Sequence, residues 1–282
     1  MHYSDKQKIS TEPADYPSKS ANRYIKGFIS FVKPRFKILT YHSVSSLSSD
    51  PFEITANTFL RQMQYLAAGG YNVISLGNAL ALMNRKQVLP KTVVITFDDG
   101  FKDIYEYAFP ILAEFGFPAT VFLVVDAIGK IDNFSYATPR KKIKILNWKE
   151  IKHSTQRGIS YGSHTLTHRD MTVLSDQENV YELETSRNMI QKELAIKFIP
   201  FSYPFGLYKG KTKSLVRQSG YSCALGFGNI ISNTCMADHY ELKREKITRA
   251  TTINDFKKLV NVNYDFIRKI KSIIKKYHVF SK

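Results

Sequence analysis

The sequence predicts an α/β protein built on a mainly parallel sheet, open or closed into a barrel. Three observations predict it. From Phe36 onward, apolar stretches of strand length alternate with longer stretches of helical character. Two of the apolar runs, TVVITF (92–97) and ATVFLVV (119–125), read as buried strands. Residues able to do chemistry follow the strands, and parallel sheets collect functional side chains at their carboxyl ends.

Taken in order, residues 1 to about 22 form a polar head rich in Ser, Lys, Pro and Asp. FKILTYH reads as the first strand, and TANTFLRQMQYLAAGG as a helix stopped by Gly69 and Gly70. NVISL is a short strand, GNALALMNRK a helix and TVVITF the central strand. YAFPILAEFG is a helix, ATVFLVV a strand and 130–145 a polar insertion. NWKEIKHSTQRG then reads as a helix leading into ISYGSHTLTH. A long helix over 175–195, FIPFSYPFG, a helix near 210–219 and SCALGF complete the alternation. No internal repeat or linker divides it. The expected boundaries are a polar and basic N-terminal extension over 1–35, one α/β domain over 36–260, and a basic amphipathic helix over 261–282.

Composition narrows the function classes. The formal net charge is +17, which implies attraction to an anionic partner such as acidic glycan, anionic lipid or nucleic acid. RYIKGFISFVKPRFK (23–37) and FIRKIKSIIKKYHVF (266–280) concentrate that charge among apolar residues. The second suits a helix lying on an anionic membrane surface, and equally a terminal helix packing its isoleucines on the core. No nucleic-acid motif accompanies the charge, so nucleic acid is not an expected partner. No apolar run reaches bilayer length and no secretion signal opens the chain, so a cytoplasmic location is expected, peripheral to the inner face of the membrane. Cys223 and Cys235 lack metal-ligand spacing and read as free thiols.

Several polar residues stand at strand ends. His42 ends the first strand, Asp98 and Asp99 end TVVITF, and His164 and His168 follow ISYGS. Asp98 and Asp99 form either a polar surface turn or a pair held around a cation, since adjacent buried carboxylates repel. HTLTH spaces two imidazoles by one helical turn, so both can face one point. Alone, an HxxxH is a pair of hydrogen-bonded histidines and an Asp-Asp-Gly is a turn. Together they give two imidazoles and a carboxylate, the composition of a catalytic zinc site with an open position.

These residues carry a resemblance. ITFDDG, SHTLTH and FSYPFG, with the opening ILTYHSV, closely resemble the motifs of the polysaccharide deacetylase family (NodB-homology, carbohydrate esterase type), from about Phe36 into the 250s. The resemblance implies a distorted, seven-stranded-like (β/α) barrel in a single domain. It implies hydrolysis of the N-acetyl amide of an amino sugar, in a polysaccharide, an oligosaccharide or a lipid-linked glycan, with one divalent ion, zinc foremost and cobalt, nickel or manganese as alternatives. Carried over by position, Asp99, His164 and His168 hold the metal, Asp98 is the general base, and the Phe205 N–H faces the oxyanion.

Two departures from the family pattern stand out. The late histidine motif that supplies the acid in many members is missing. His42 matches instead the acid of the subset that opens with YH, as in poly-N-acetylglucosamine deacetylases; its plain reading is a core histidine orienting a loop. The arginine usually two residues before the proline is Ser202 here, and Arg249 in ITRATTI is the expected substitute for orienting Asp98. Tyr203, Pro204 and Trp148 are candidate sugar-contacting residues, each with core packing as its plain reading. The competing reading is a glycan- or membrane-binding protein of this fold with impaired catalysis.

Overall fold

The structure, a computed structural model, describes residues 35–46, 50–132, 142–228 and 232–261. The expected N-terminal extension (save Arg35) and the amphipathic helix beyond Asn261 lie outside the described residues, as does most of the polar insertion.

Strand and helix alternate as the pattern predicts. β1 (Arg35–Tyr41) leads into a small parallel pair, β2 (Ser43–Ser45) and β3 (Glu53–Thr55). Helix α1 (Ala56–Ala68) begins where the Thr55 hydroxyl accepts the Thr58 N–H, and Gly69 caps its end. β4 covers only Asn72–Val73, less than the predicted NVISL, because Ser75 turns away to cap α2 (Leu76–Arg85). β5 (Thr92–Phe97) is buried along its whole length. A π-helical turn, Ile104–Ala108, opens α3 (Phe109–Glu114), where Pro110 sits in the first turn and needs no N–H. β6 (Ala119–Leu123), α4 (Trp148–Thr155), β7 (Ile159–Ser163), α5 (Asp176–Leu194), β8 (Pro200–Ser202), α6 (Gly210–Gln218) and β9 (Cys223–Gly226) follow. Asn147 with Glu150, and Ser175 with Glu178, make reciprocal capping boxes on α4 and α5. The sequence pattern assigns nothing to the last elements, β10 (Ser232–Thr234), β11 (Leu242–Lys243), β12 (Glu245–Lys246) and α7 (Ile253–Val260). Strands of two or three residues are too short to show a period.

The sheet runs β1-β5-β6-β7-β8-β9 with all neighbours parallel. β4 pairs with the first two residues of β5, and β10 lies antiparallel on β1. Closure comes from the late segment: β11 pairs with β9, β12 pairs with β1, and Arg244 alone separates them. The result is a nearly closed barrel whose seventh stave is Leu242–Lys246. Its core includes Leu39, Ile95, Val121, Tyr161 and Phe201, all at most 1% exposed. Among the described residues, no helix is long and apolar enough to cross a membrane.

Candidate active site

The carboxyl ends of β1, β5, β7 and β8 converge, with the closing segment, on one buried polar cluster. At the end of β5, the Asp98 N–H still donates to the Tyr41 carbonyl at 2.9 Å, so Asp98 stays in the ladder. Asp99 then takes a left-handed φ of 71°, and Gly100 follows at 77°. That turn sends the two neighbouring carboxylates to different partners. A side chain at Gly100 would also meet Leu123 at 2.8 Å, so the turn needs glycine there on two counts.

Asp99 faces the histidines. Its Oδ1 lies 3.6 Å from His164 Nε2 and 3.4 Å from His168 Nε2, and ligand atoms of all three lie within 4.8 Å of one another. All three side chains are buried. His164 Nδ1 lies 2.8 Å from the Ser202 carbonyl, which can only accept, so Nδ1 carries the proton and Nε2 presents its lone pair to the cluster. Burial lowers the His164 pKa despite the pull of Asp98, which keeps the ring neutral.

The two rings approach to 4.9 Å between centroids, but not on a helical turn as their spacing predicts. Thr165 and His168 have left-handed φ values of 69° and 63°, so HTLTH is a loop. Hydrogen bonds hold it: the Ser163 hydroxyl accepts the Thr165 N–H, and the Thr165 hydroxyl accepts the His168 N–H. Glu182 of α5 accepts three more, from the Leu166 and Thr167 N–H groups and the Thr167 hydroxyl. Left-handed non-glycine residues cost roughly 1–3 kcal/mol each, and such bonds offset that cost.

Asp98 faces an arginine that sequence reasoning missed. Arg244 Nη1 donates to Asp98 Oδ1 at 2.7 Å and Nη2 to Oδ2 at 2.8 Å; Nη2 also reaches Ser202 Oγ at 2.9 Å. Burial alone would push the Asp98 carboxyl up. The Arg244 guanidinium, with His164 and His42 beside it, holds it well below the usual carboxylate range. Arg249, the expected partner, is exposed, and its backbone N–H bonds the Pro51 carbonyl. The orienting guanidinium therefore comes from the barrel-closing segment, and Ser202, small and hydroxylated, joins the same network. The only cue in the sequence was an arginine among charged residues (KREK), which reads as a solvated run.

The remaining expected residues divide. His42, just past β1, is close enough to Asp98, His164 and Arg244 to feel their charges, and burial lowers its pKa to about 3. Its Nδ1 is buried without a hydrogen bond, so that nitrogen does not orient a loop. The Phe205 backbone has φ 59°, its N–H meets no acceptor among the described residues, and its ring lies edge-on to His168 at 4.9 Å. Tyr203 takes the core-packing place of its plain reading. It is fully buried, stacked on Tyr208 and bonded through its hydroxyl to the Tyr240 carbonyl. Pro204 is also buried, and Trp148 packs half-buried against the core at the start of α4.

The donor set fits a single divalent ion. Ligands about 2.1 Å from a tetrahedral ion stand roughly 3.4 Å apart, close to the two separations made by Asp99. Two neutral imidazoles and one carboxylate suit zinc, and also cobalt, nickel or manganese.

The chain is similar to known proteins in sequence and in fold. Residues 85–224 match the family model described as polysaccharide deacetylase. The Bacillus subtilis protein YxkH, named for the same family, is 31% identical over 188 residues, covering 66% of this chain and 62% of its own. A poly-beta-1,6-N-acetyl-D-glucosamine N-deacetylase of Staphylococcus aureus is 23% identical over 189 residues, covering 64% of this chain and 63% of its own. The chain thus spans less than two thirds of these relatives. The solved Streptococcus pyogenes deacetylase PplD superposes with a TM-score of 0.71 at 22% identity, covering 81% of this chain and 99% of that one.

Proposed function

We propose that the chain is a member of the polysaccharide deacetylase family, whose model residues 85–224 match, and that it is a metal-dependent hydrolase removing the N-acetyl group of an amino sugar. The substrate class is a glycan containing N-acetylglucosamine, as the name of the Staphylococcus aureus relative supports. One observation carries the reading: a buried Asp99–His164–His168 set lies beside a second carboxylate, Asp98, that a guanidinium fixes separately.

Asp99, His164 and His168 would hold the ion, which supplies Lewis acidity by polarising the amide carbonyl and acidifying water. Asp98 serves as general base. Arg244 keeps it ionised and fixes both its oxygens, so the carboxylate meets the attacking water in one orientation. That hold lowers its basicity, a cost that acidification of the water offsets. The Phe205 N–H supports the developing oxyanion; donors of this kind contribute about 10²–10³ in rate. His42 gives a proton to the departing amine, in keeping with the YH-type arrangement. His42, neutral at rest because burial disfavours its cation, would take up the proton that the neighbouring Asp98 removes from water and pass it to the amine.

Ser202 in place of the motif arginine motivated the reading of impaired catalysis. Arg244 on Asp98 removes that motive, because the orienting charge is supplied from the barrel-closing segment. The test is acetate release from N-acetylglucosamine oligosaccharides by the purified chain, treated with chelator and then resupplied with zinc. Release that disappears and returns is expected. No release in either state, with zinc bound, would overturn the reading for this substrate class.

A further inference from the structure

We propose that Glu182 is a positioning residue that sets the affinity of the Asp99–His164–His168 set for a divalent ion, by holding the loop between the two histidines in one conformation. The inference rests on the metal-dependent reading above.

Glu182 is 3% exposed and sits on the core-facing side of α5, where an apolar residue would be expected. One carboxylate oxygen accepts the Leu166 N–H at 2.8 Å and the Thr167 N–H at 2.9 Å, and the other accepts the Thr167 hydroxyl at 2.5 Å. These groups lie between His164 and His168, in a loop whose Thr165 and His168 backbones are left-handed. Two consecutive N–H groups turned toward one oxygen leave the loop little freedom.

The same helix face repeats the device. Asn179 donates to the Met171 and Leu174 carbonyls, and Ser186 accepts from the Ser163 hydroxyl, which in turn accepts the Thr165 N–H. Positions 179, 182 and 186 share one face at helical spacing, so α5 presents a row of buried polar groups to the 163–174 segment, Asn179 and Glu182 to its backbone and Ser186 to the Ser163 hydroxyl. Of the three, Asn179 acts past the histidines and Ser186 through Ser163 before them, while Glu182 bonds the segment between directly. From outside α5, the Val125 and Asp126 N–H groups donate to the Thr165 and Leu166 carbonyls of the same segment. A histidine ligand whose loop must be ordered on binding spends ion affinity on that ordering, and Glu182 removes the expense in advance.

Zinc affinity of the full chain, measured by competition with a chromophoric chelator, tests this together with the melting temperature of the zinc-free protein. Glu182→Ala is expected to weaken zinc by about 10–100-fold. Glu182→Gln keeps one oxygen for both N–H groups and is expected to restore most of the affinity. Glu182→Asp, too short to reach the loop, is expected to resemble Glu182→Ala. Zinc affinity unchanged in a folded Glu182→Ala overturns the proposal, as does a Gln variant as weak as the Asp variant. If Glu182→Ala does not fold, the comparison of Gln with Asp decides. An unsubstituted chain that takes up no zinc would instead sink the metal reading, and this inference with it.

Discussion

Arg244 and Asp98 lie 146 positions apart in the sequence and meet through two parallel hydrogen bonds of 2.7 and 2.8 Å, both side chains almost wholly buried. Breaking a buried pair by removing one partner costs about 3–5 kcal/mol, because the other charge stays uncompensated. Lysine keeps the charge but not the two-pronged geometry. Arg244→Lys should therefore fold, bind zinc as before and lose at least about tenfold in kcat, which is about 1.4 kcal/mol of barrier. Kinetics with unchanged kcat would remove Arg244 from the orienting role. Arg249→Ala, by contrast, should leave kcat unaltered.

The adjacent aspartates should fail in different ways. Asp98→Asn is expected to lower kcat by about 10²–10⁴, the usual contribution of general acid–base catalysis, with zinc still bound. Asp99→Ala should lose zinc first and activity in consequence. Parallel zinc titration and acetate-release assays separate the two. Equal loss of zinc in both variants would refute the division of labour.

At His42, replacement by Gln keeps a polar side chain but removes the titratable ring. The expected result is a loss in kcat of about 10²–10⁴ with zinc affinity unchanged. A variant with full kcat would return His42 to a packing role, against Phe52, whose ring lies 5.2 Å away.

Asp103 predicts a pH dependence of stability. Burial raises its carboxyl from 3.8 to about 7, while the Ser43 hydroxyl that donates to it offsets part of the rise and Glu53 adds to it. The folded state thus holds a proton that the unfolded chain releases, and the stabilisation is complete below pH 3.8. It is lost as pH rises toward the folded value near 7. Each unit of difference is worth about 1.4 kcal/mol, so the loss amounts to a few kcal/mol. Asp103→Asn, neutral throughout, should flatten the decline. Urea midpoints at pH 5 and pH 8 for both proteins measure it, and parallel declines would count against Asp103 as the cause.

The sequence by itself determined the alternation of strands and helices, the parallel sheet and the residues at the strand ends. Those features are local: the apolar runs of β5 and β6, the stop at Gly69 and Gly70, and the short spacings within ITFDDG, SHTLTH and FSYPFG. It misjudged how the histidines meet, because spacing by four positions suits a helical turn, whereas left-handed Thr165 and His168 are held by local hydroxyls and by Glu182 from a distant helix. Tyr203, an aromatic beside a motif, is open in the sequence to a sugar-contacting and a core reading, and stacking on Tyr208 with a hydroxyl bond to the Tyr240 carbonyl favours the core. Only the tertiary structure decided which arginine serves Asp98. Arg244 lies between two strands of two residues each, too short to carry a pattern, and barrel closure aims it inward. There the small hydroxylated side chain of Ser202 meets the guanidinium brought in by the closing segment, a complementarity that exists in space and has no counterpart along the chain.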